Sequence, residues 1–171
     1  STPSAAVAVT PNYTNSSLPY QTTVTSPTGP NATTVTTTNE YNPNGYLTSS
    51  ERNGKARSFL YSSSLYPNQP TRSTYEGRSV NYSYDGQGRV TTISLPENIT
   101  HRFAYNSRND VTRYTDPRGQ ITNFTYDANG NLDKVIDPLG GTTRTYYNQY
   151  GQPTKVINPS IIETDYTYHS S

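Results

Sequence analysis

Residues 126–148 read YDANGNLDKVIDPLGGTTRTYYN. Displaced by one fixed interval in either direction, the pattern returns. Tyr84, Tyr105, Tyr126, Tyr147 and Tyr168 are evenly spaced, and Pro96, Pro117, Pro138 and Pro159 keep the same interval. Two registers that share a 21-residue period without a slip mean a tandem repeat. Upstream the register loosens: the step from Tyr61 to Tyr84 is two places longer than the period, and that from Tyr41 to Tyr61 is one place shorter.

Each unit has the same internal order. Ahead of the register tyrosine, Thr122, Phe124 and Tyr126 alternate with Ile121, Asn123 and Thr125. Period two with aromatic and β-branched residues predicts a strand. Phe59, Tyr82, Phe103, Phe124 and Tyr166 hold the place two before the tyrosine, and Thr145 breaks that column with Tyr146 one place late. A local bulge or slip is expected there. After the tyrosine come DGQG, NSRN, DANG and NQYG. Asp85 and Asp127 open such loops by accepting backbone N–H groups, while Gly88, Gly130 and Gly151 close them in a left-handed conformation. An apolar residue follows six places on (Leu47, Val90, Val111, Leu132, with Pro153 the exception), and a second at nine (Ile93, Tyr114, Val135, Val156). This is the return strand. DPRG and DPLG then turn the chain again, with SLPEN and NPSI as weaker versions. Gly54, Gly77, Gly119 and Gly140 lie seven residues before the tyrosine; Asn98 and Ile161 hold that place in the other units. Ile161 fits worst, because a β-branched residue resists positive φ.

Two turns of about four residues leave about 13 for two strands of the usual length. The predicted fold is all-β: tandem hairpins of about 21 residues in a long, twisted antiparallel strip, with register tyrosines on one face at one height. Frequent Gly, Pro, Asn and Thr exclude a sustained helix. Residues 41–171 hold the repeats, the last of them truncated. Residues 1–40 form either a Thr/Ser/Pro-rich arm or a divergent first repeat, in which TTVTTTNEY fits a strand. The chain starts at Ser1 without Met and ends at YTYHSS, and so reads as an internal fragment.

Composition narrows the function classes. Hydrophobic residues are 29% of 171, with 17 Tyr, 3 Phe and no Trp. Tyr rings must supply much of the buried apolar area, and each brings a hydroxyl that needs a partner. That suits a thin, half-wet sheet. A net charge of +1 lacks the basic footprint of a nucleic-acid binder. Absent cysteine rules out disulfides and thiolate metal sites. No apolar run approaches the length of a membrane-spanning helix.

Candidate chemistry is sparse. His101 lies in ITHRFAY, one place off the face of Phe103 and Tyr105, and is expected to be an exposed strand residue. His169 takes the Asp position of the last, broken motif. Neither is set beside a nucleophile, so no catalytic residue is assigned. Asp85, Asp127, Asp116 and Asp137 have turn positions, and Asp110, Asp133 and Asp165 are scattered. DANGN lacks the further acidic ligands of a calcium loop, so no metal or cofactor is expected. The sequons NYT, NSS, NAT, NYS, NIT and NFT carry no weight in a Ser- and Thr-rich chain. The tyrosine row is the one candidate for recognition, by stacking on a glycan; no ligand-binding residue is assigned.

YDGQGRV (84–90) and YDANGNL (126–132), with DPRG (116–119) and DPLG (137–140), resemble the YD-repeat or RHS-repeat family. The resemblance covers residues 41–171 and is closest after residue 80. It implies a spiralling β-strip that closes into a hollow shell. Bacterial members, RHS effectors and the shell proteins of Tc toxins, enclose a toxic domain in it, and teneurins carry a related barrel. The family's end-of-core region, where bacterial members self-cleave through aspartates, has no counterpart here, so no catalytic aspartate is carried over. The expected function is a non-enzymatic wall segment of a secreted or cell-surface, bacterial shell around a toxic or other cargo domain. Its open edges pair with the remaining repeats or with another chain. The alternative is an extracellular module that binds a glycan or receptor.

Overall fold

The computed structural model describes residues 8–13, 19–25 and 34–168, with side chains from residue 35 onward. All regular structure in it is antiparallel strand, and no helix occurs among the described residues. The chain divides into two compact units, residues 1–82 and 83–171.

In the first unit the strands are β1 (Ala8–Tyr13), β2 (Pro19–Thr25), β3 (Thr34–Tyr41), β4 (Leu47–Arg52), β5 (Lys55–Leu60), β6 (Arg72–Tyr75) and β7 (Arg78–Tyr84, ending just inside the second unit). Each pairs with the next. The strand expected in TTVTTTNEY is β3. Residues 1–7, 14–18 and 26–33, part of the stretch expected to be an arm or a divergent repeat, lie outside the described residues. Gly54 and Gly77 hold the predicted turn places, but here Asn53 and Glu76 also take positive φ (52° and 47°). Arg52 pairs with Lys55 and Tyr75 with Arg78 across them. Two left-handed central residues make a tight two-residue hairpin, whose twist matches the strands it joins. Residues 61–71 form an irregular loop, so the strip's uniform period begins only after it.

In the second unit the strands are β8 (Val90–Ser94), β9 (Thr100–Tyr105), β10 (Val111–Thr115), β11 (Ile121–Tyr126), β12 (Leu132–Ile136), β13 (Thr142–Tyr147), β14 (Pro153–Ile157) and β15 (Glu163–Asp165). Again each pairs with the next. One register repeats: Tyr105 faces Val111, Tyr126 faces Leu132 and Tyr147 faces Pro153, each beside a bulge. The bulge or slip expected at Thr145 is a bulge at Tyr146 and Tyr147, and it is not peculiar to that unit. Thr145 pairs with Val156 as Phe124 pairs with Val135, and Tyr41, Tyr105, Tyr126 and Tyr147 each carry a bulge. The extra residues are Thr112, Asp133 and Thr154, and the Thr154 hydroxyl donates to the Tyr146 carbonyl at 3.2 Å. Pro153 is tolerated because it opens its strand, where no ladder N–H is required of it.

No described side chain is fully buried. Each unit is a single sheet layer, half-covered by its own neighbours. Its cohesion comes from ladders, cross-strand pairs and turns rather than from a core.

Candidate functional site

Two turn types were distinguishable in the sequence, but the structure gives them one chemistry. Asp127 Oδ1 accepts the N–H groups of Asn129 and Asn131, both at 2.9 Å. Asp137 Oδ1 accepts those of Leu139 (2.9 Å) and Gly141 (2.8 Å) in the same way. Asp85, Asn106, Asp116, Asn148 and Asn158 repeat the pattern. In each, the fourth residue donates its N–H back to the first carbonyl, as Gly130 does to Asp127 (3.1 Å) and Gly140 to Asp137 (3.0 Å). That fourth residue takes positive φ: Gly88, Asn109, Gly119, Gly130, Gly140, Gly151 and also Ile161 at 61°. Pro117, Pro138 and Pro159 occupy the second place, where fixed φ suits the turn and no donor is needed. The turn 95–99 departs from this. Pro96 holds the second place there too, but Leu95 has no acceptor side chain, and Glu97 and Asn98 both take positive φ (65° and 61°).

The register tyrosines are spent on their neighbours. Tyr105 donates its hydroxyl to the Val90 carbonyl (2.7 Å), Tyr126 to Val111 (2.8 Å), Tyr147 to Leu132 (2.9 Å) and Tyr168 to Pro153 (2.8 Å). Tyr61 does the same to Leu47 at 3.0 Å, which brings Tyr41's partner residue into the same scheme. The ladders explain why. β10 and β11 stop pairing at Arg113 and Asn123, β12 and β13 at Lys134 and Arg144. The carbonyls of Val111 and Leu132 lie beyond those ends, where the strands part and the ladder offers no N–H. A phenol from the next strand supplies the missing donor, as a half-buried carbonyl requires. Burial raises the hydroxyls of Tyr61, Tyr105 and Tyr126 above the ordinary phenol range. Tyr84 is the last residue of β7.

Arginines join successive turns along that rim. Arg89 binds Asp85 in its own turn (2.7 Å) and reaches the Asn106 carbonyl of the next (2.7 Å). Its guanidinium also lies 4.8 Å from the centre of the Tyr105 ring, within cation–π range. Arg108 reaches the carbonyls of Asp127 and Ala128, both at 3.0 Å. The side-chain bond from Arg89 holds the Asp85 carboxyl below the usual range, and that from Asn131 does the same for Asp127.

His101 requires a correction. Two residues before Phe103, it shares that face instead of lying one place off it. Its ring stacks on Tyr114 (centroids 5.9 Å apart, planes at 15°), and Nδ1 bonds the Tyr114 hydroxyl at 2.7 Å. This is a cross-strand packing contact with no carboxylate or nucleophile in it. His169 lies outside the described residues. Asp127 spends Oδ2 on the Asn131 amide (2.9 Å), and among the described residues no group of three His, Cys, Asp or Glu could hold a metal. Sequence reasoning placed Asp116, Asp137 and Asn158 in turns but missed the rim arginines and the role of those three side chains as backbone acceptors. The 10- and 11-residue spacing of 106, 116, 127, 137, 148 and 158 was the available signal.

The RHS Repeat family model matches residues 105–142. No curated protein is similar to the chain in sequence. Its fold is similar to that of TcdB2-TccC3-TEV (TM-score 0.63, 12% identity, 80% of this chain and 8% of that one). It is also similar to TcdB2-TccC3-Cdc42 (TM-score 0.52, 13% identity, 94% and 13%). A Photorhabdus luminescens Tc holotoxin pore with a TccC3 mutation follows at TM-score 0.44, 13% identity, 86% and 11%. The chain thus spans about a tenth of the proteins it resembles. The matched residues run from one register tyrosine through the next and past its DPLG turn, and the flanking units keep that register and turn chemistry. Residues 105–142 of this chain match the RHS repeat, the YD repeat of its sequence.

Proposed function

We propose that the chain is a wall segment of a hollow, secreted or cell-surface bacterial β-shell, and that its action is containment of a toxic or other cargo domain. The tyrosine row carries this reading. Its hydroxyls are tied to strand carbonyls and its rings are half-covered, so the row is spent on holding successive strands together. A glycan-binding row would leave flat, free rings. The absence of a core among the described residues suits a thin wall, and the repeat match and the shared fold support a structural role. Register positions from Tyr41 to Tyr168, with the turn residues Asp85, Asp127, Gly88, Gly119, Gly130, Gly140 and Gly151, form its framework. Continuing repeats of the same shell, or another chain, pair with its edges, as open strand edges invite.

The test uses the intact protein that carries these residues. Single-particle electron microscopy is expected to show a closed hollow body whose cargo segment resists protease. Replacing Tyr105, Tyr126 and Tyr147 together by Ala is expected to open the wall and expose that segment. If the triple variant keeps its fold and its protease resistance but loses binding on a glycan array, the segment is a recognition module instead.

A further inference from the structure

The second unit has a face that neither the tyrosine row nor the turns use. Residues directly paired across antiparallel strands share a face. Arg102 pairs with Thr115, Ala104 with Arg113, Thr125 with Lys134 and Lys134 with Arg144; Lys155 pairs with Tyr146. These pairs form one surface, opposite Phe103, Phe124 and Val135. Five cations therefore stand on five of the strands β9–β14. Arg113, Lys134 and Lys155 recur at the repeat's own spacing. At the usual strand separation the row spans about 24 Å.

The acids near this row sit at one end. Lys155 is held by Glu163 (2.7 Å) and Asp165 (3.8 Å), and Arg144 lies 3.7 Å from Asp133. Arg102, Arg113 and Lys134 have no ion pair among the described residues. Two open grooves of this unit lie on this face. One, of about 330 Å³, is bounded by Arg102 and Arg113 over Ala104. The other, of about 540 Å³, is bounded by Lys134 and Arg144 over Ile157. The chain as a whole is nearly neutral, at +1, so this is a segregated charge and not a general one.

We propose that this face binds an extended acidic polypeptide segment laid across the strands. Charge complementarity selects the acid, as in other arginine-rich recognition of acidic motifs. Aliphatic floors between the cations select a peptide whose carboxylates alternate with apolar side chains. A glycan is disfavoured because Tyr146, the aromatic side chain that the pairing places on this face, already has the Arg144 guanidinium 5.9 Å from its ring centre and offers no free platform for a sugar. Nucleic acid is disfavoured for the same want of stacking surfaces. Containment neither requires this surface nor fails with it.

The test is fluorescence anisotropy on the intact protein, with a labelled peptide of alternating Glu and Leu as probe, an alternating Lys and Leu peptide as control, and heparin as the polyanionic glycan. The acidic peptide is expected to bind, to weaken as salt rises, and to lose about tenfold or more in R102Q/R113Q/K134Q at unchanged melting temperature. The Lys peptide is expected not to bind. Equal binding of the Glu peptide to wild type and triple variant overturns the proposal. So does heparin binding more tightly than the peptide through the same three residues. Should the triple variant melt early, the single variant R113Q carries the same comparison, with a smaller expected loss.

Discussion

Replacing Tyr126 by Phe removes one oxygen and leaves the ring. That oxygen donates to the Val111 carbonyl at 2.8 Å, beyond the last paired residues of β10 and β11. No ladder N–H takes its place, so the carbonyl is left to solvent. An exchanged hydrogen bond of this kind is worth about 1 kcal/mol. Replacing Tyr126 by Ala also removes a half-covered ring. About 100 Å² of apolar contact at about 25 cal/mol per Å² adds about 2.5 kcal/mol, for a total near 3 to 4. The assay is native-state hydrogen exchange on the intact protein, following the amides of β10 and β11. Y126F is expected to speed their exchange about fivefold, and Y126A by more than a hundredfold. Amides of β3 and β4 should not move, because repeat arrays transmit stability mainly to neighbours. Tyr150, 77% exposed at a turn tip, is the control, and Y150F is expected to change nothing. If Y126F exchanges like the wild type while Y126A opens, the ring holds the strands and the hydroxyl does not. The account of the register tyrosine as a donor to an orphaned carbonyl would then be wrong.

Asp127→Ala removes the acceptor of three bonds and is expected to loosen the 127–131 turn by about 1 to 2 kcal/mol, read as faster exchange there. Asp127→Asn should cost less, because Asn106 and Asn148 already do the same work. Ile161→Gly is expected to raise the melting temperature, since an 80% exposed β-branched residue at φ 61° gives up about 1 kcal/mol of strain and few contacts. Stability should fall at both ends of the pH scale. The Asp85 and Asp127 carboxyls are lowered in the fold, so their contribution is present above the ordinary carboxylate value of about 4 and is lost as pH falls through the folded value. The Tyr105 and Tyr126 hydroxyls are raised, so theirs is complete below about pH 10 and is lost as pH rises through the folded value. Circular dichroism against pH, with phenolate absorbance for the alkaline limb, checks both signs.

Strand existence and hairpin order were legible because the 21-residue period ties a tyrosine to a turn five times over, and a period of two admits one reading. The bulges were legible only once, at Thr145, where an aromatic fell out of its column. A bulge does lie beside it, at Tyr146 and Tyr147, but Tyr41, Tyr105 and Tyr126 carry one too, and Thr145 merely substitutes for a ring. His101 was misplaced by a parity error: residues 101, 103 and 105 share a face in any strand. The turns at Asp116 and Asp137 were read from their prolines, which hid the carboxylate that does the closing. Ile161 was marked as the poorest occupant of a left-handed place, and the chain puts it there all the same. The Asn158 side chain and the closing backbone bonds hold the turn regardless of which residue completes it. The rim arginines had no signal of their own in one sequence. Arg89 and Arg108 look like ordinary solvated charges until the next turn is seen to lie within reach.

How the described strands keep one conformation without a buried core follows from where their bonds run. Every tie described for the second unit is either within a turn or to the neighbouring strand or turn. The tyrosine joins a strand to the residue 15 before it, and Arg89 and Arg108 join a turn to the one 17 to 20 residues after it. Phenol and guanidinium thus act in opposite directions along the chain, and each unit is held from both sides. Between the next two turns no arginine bond runs among the described residues, but they lie close: a side chain carbon added at Gly151 would sit 3.3 Å from Asn131 Oδ1. A sheet of this kind has no single element whose loss unfolds the whole. It predicts that damage stays local: disrupting both ties of one turn, as in R89A with Y105F, should free the exchange of β8 and β9 while leaving β13 and β14 protected. Equal loss across all strands of the unit would mean that it folds around something larger than these ties.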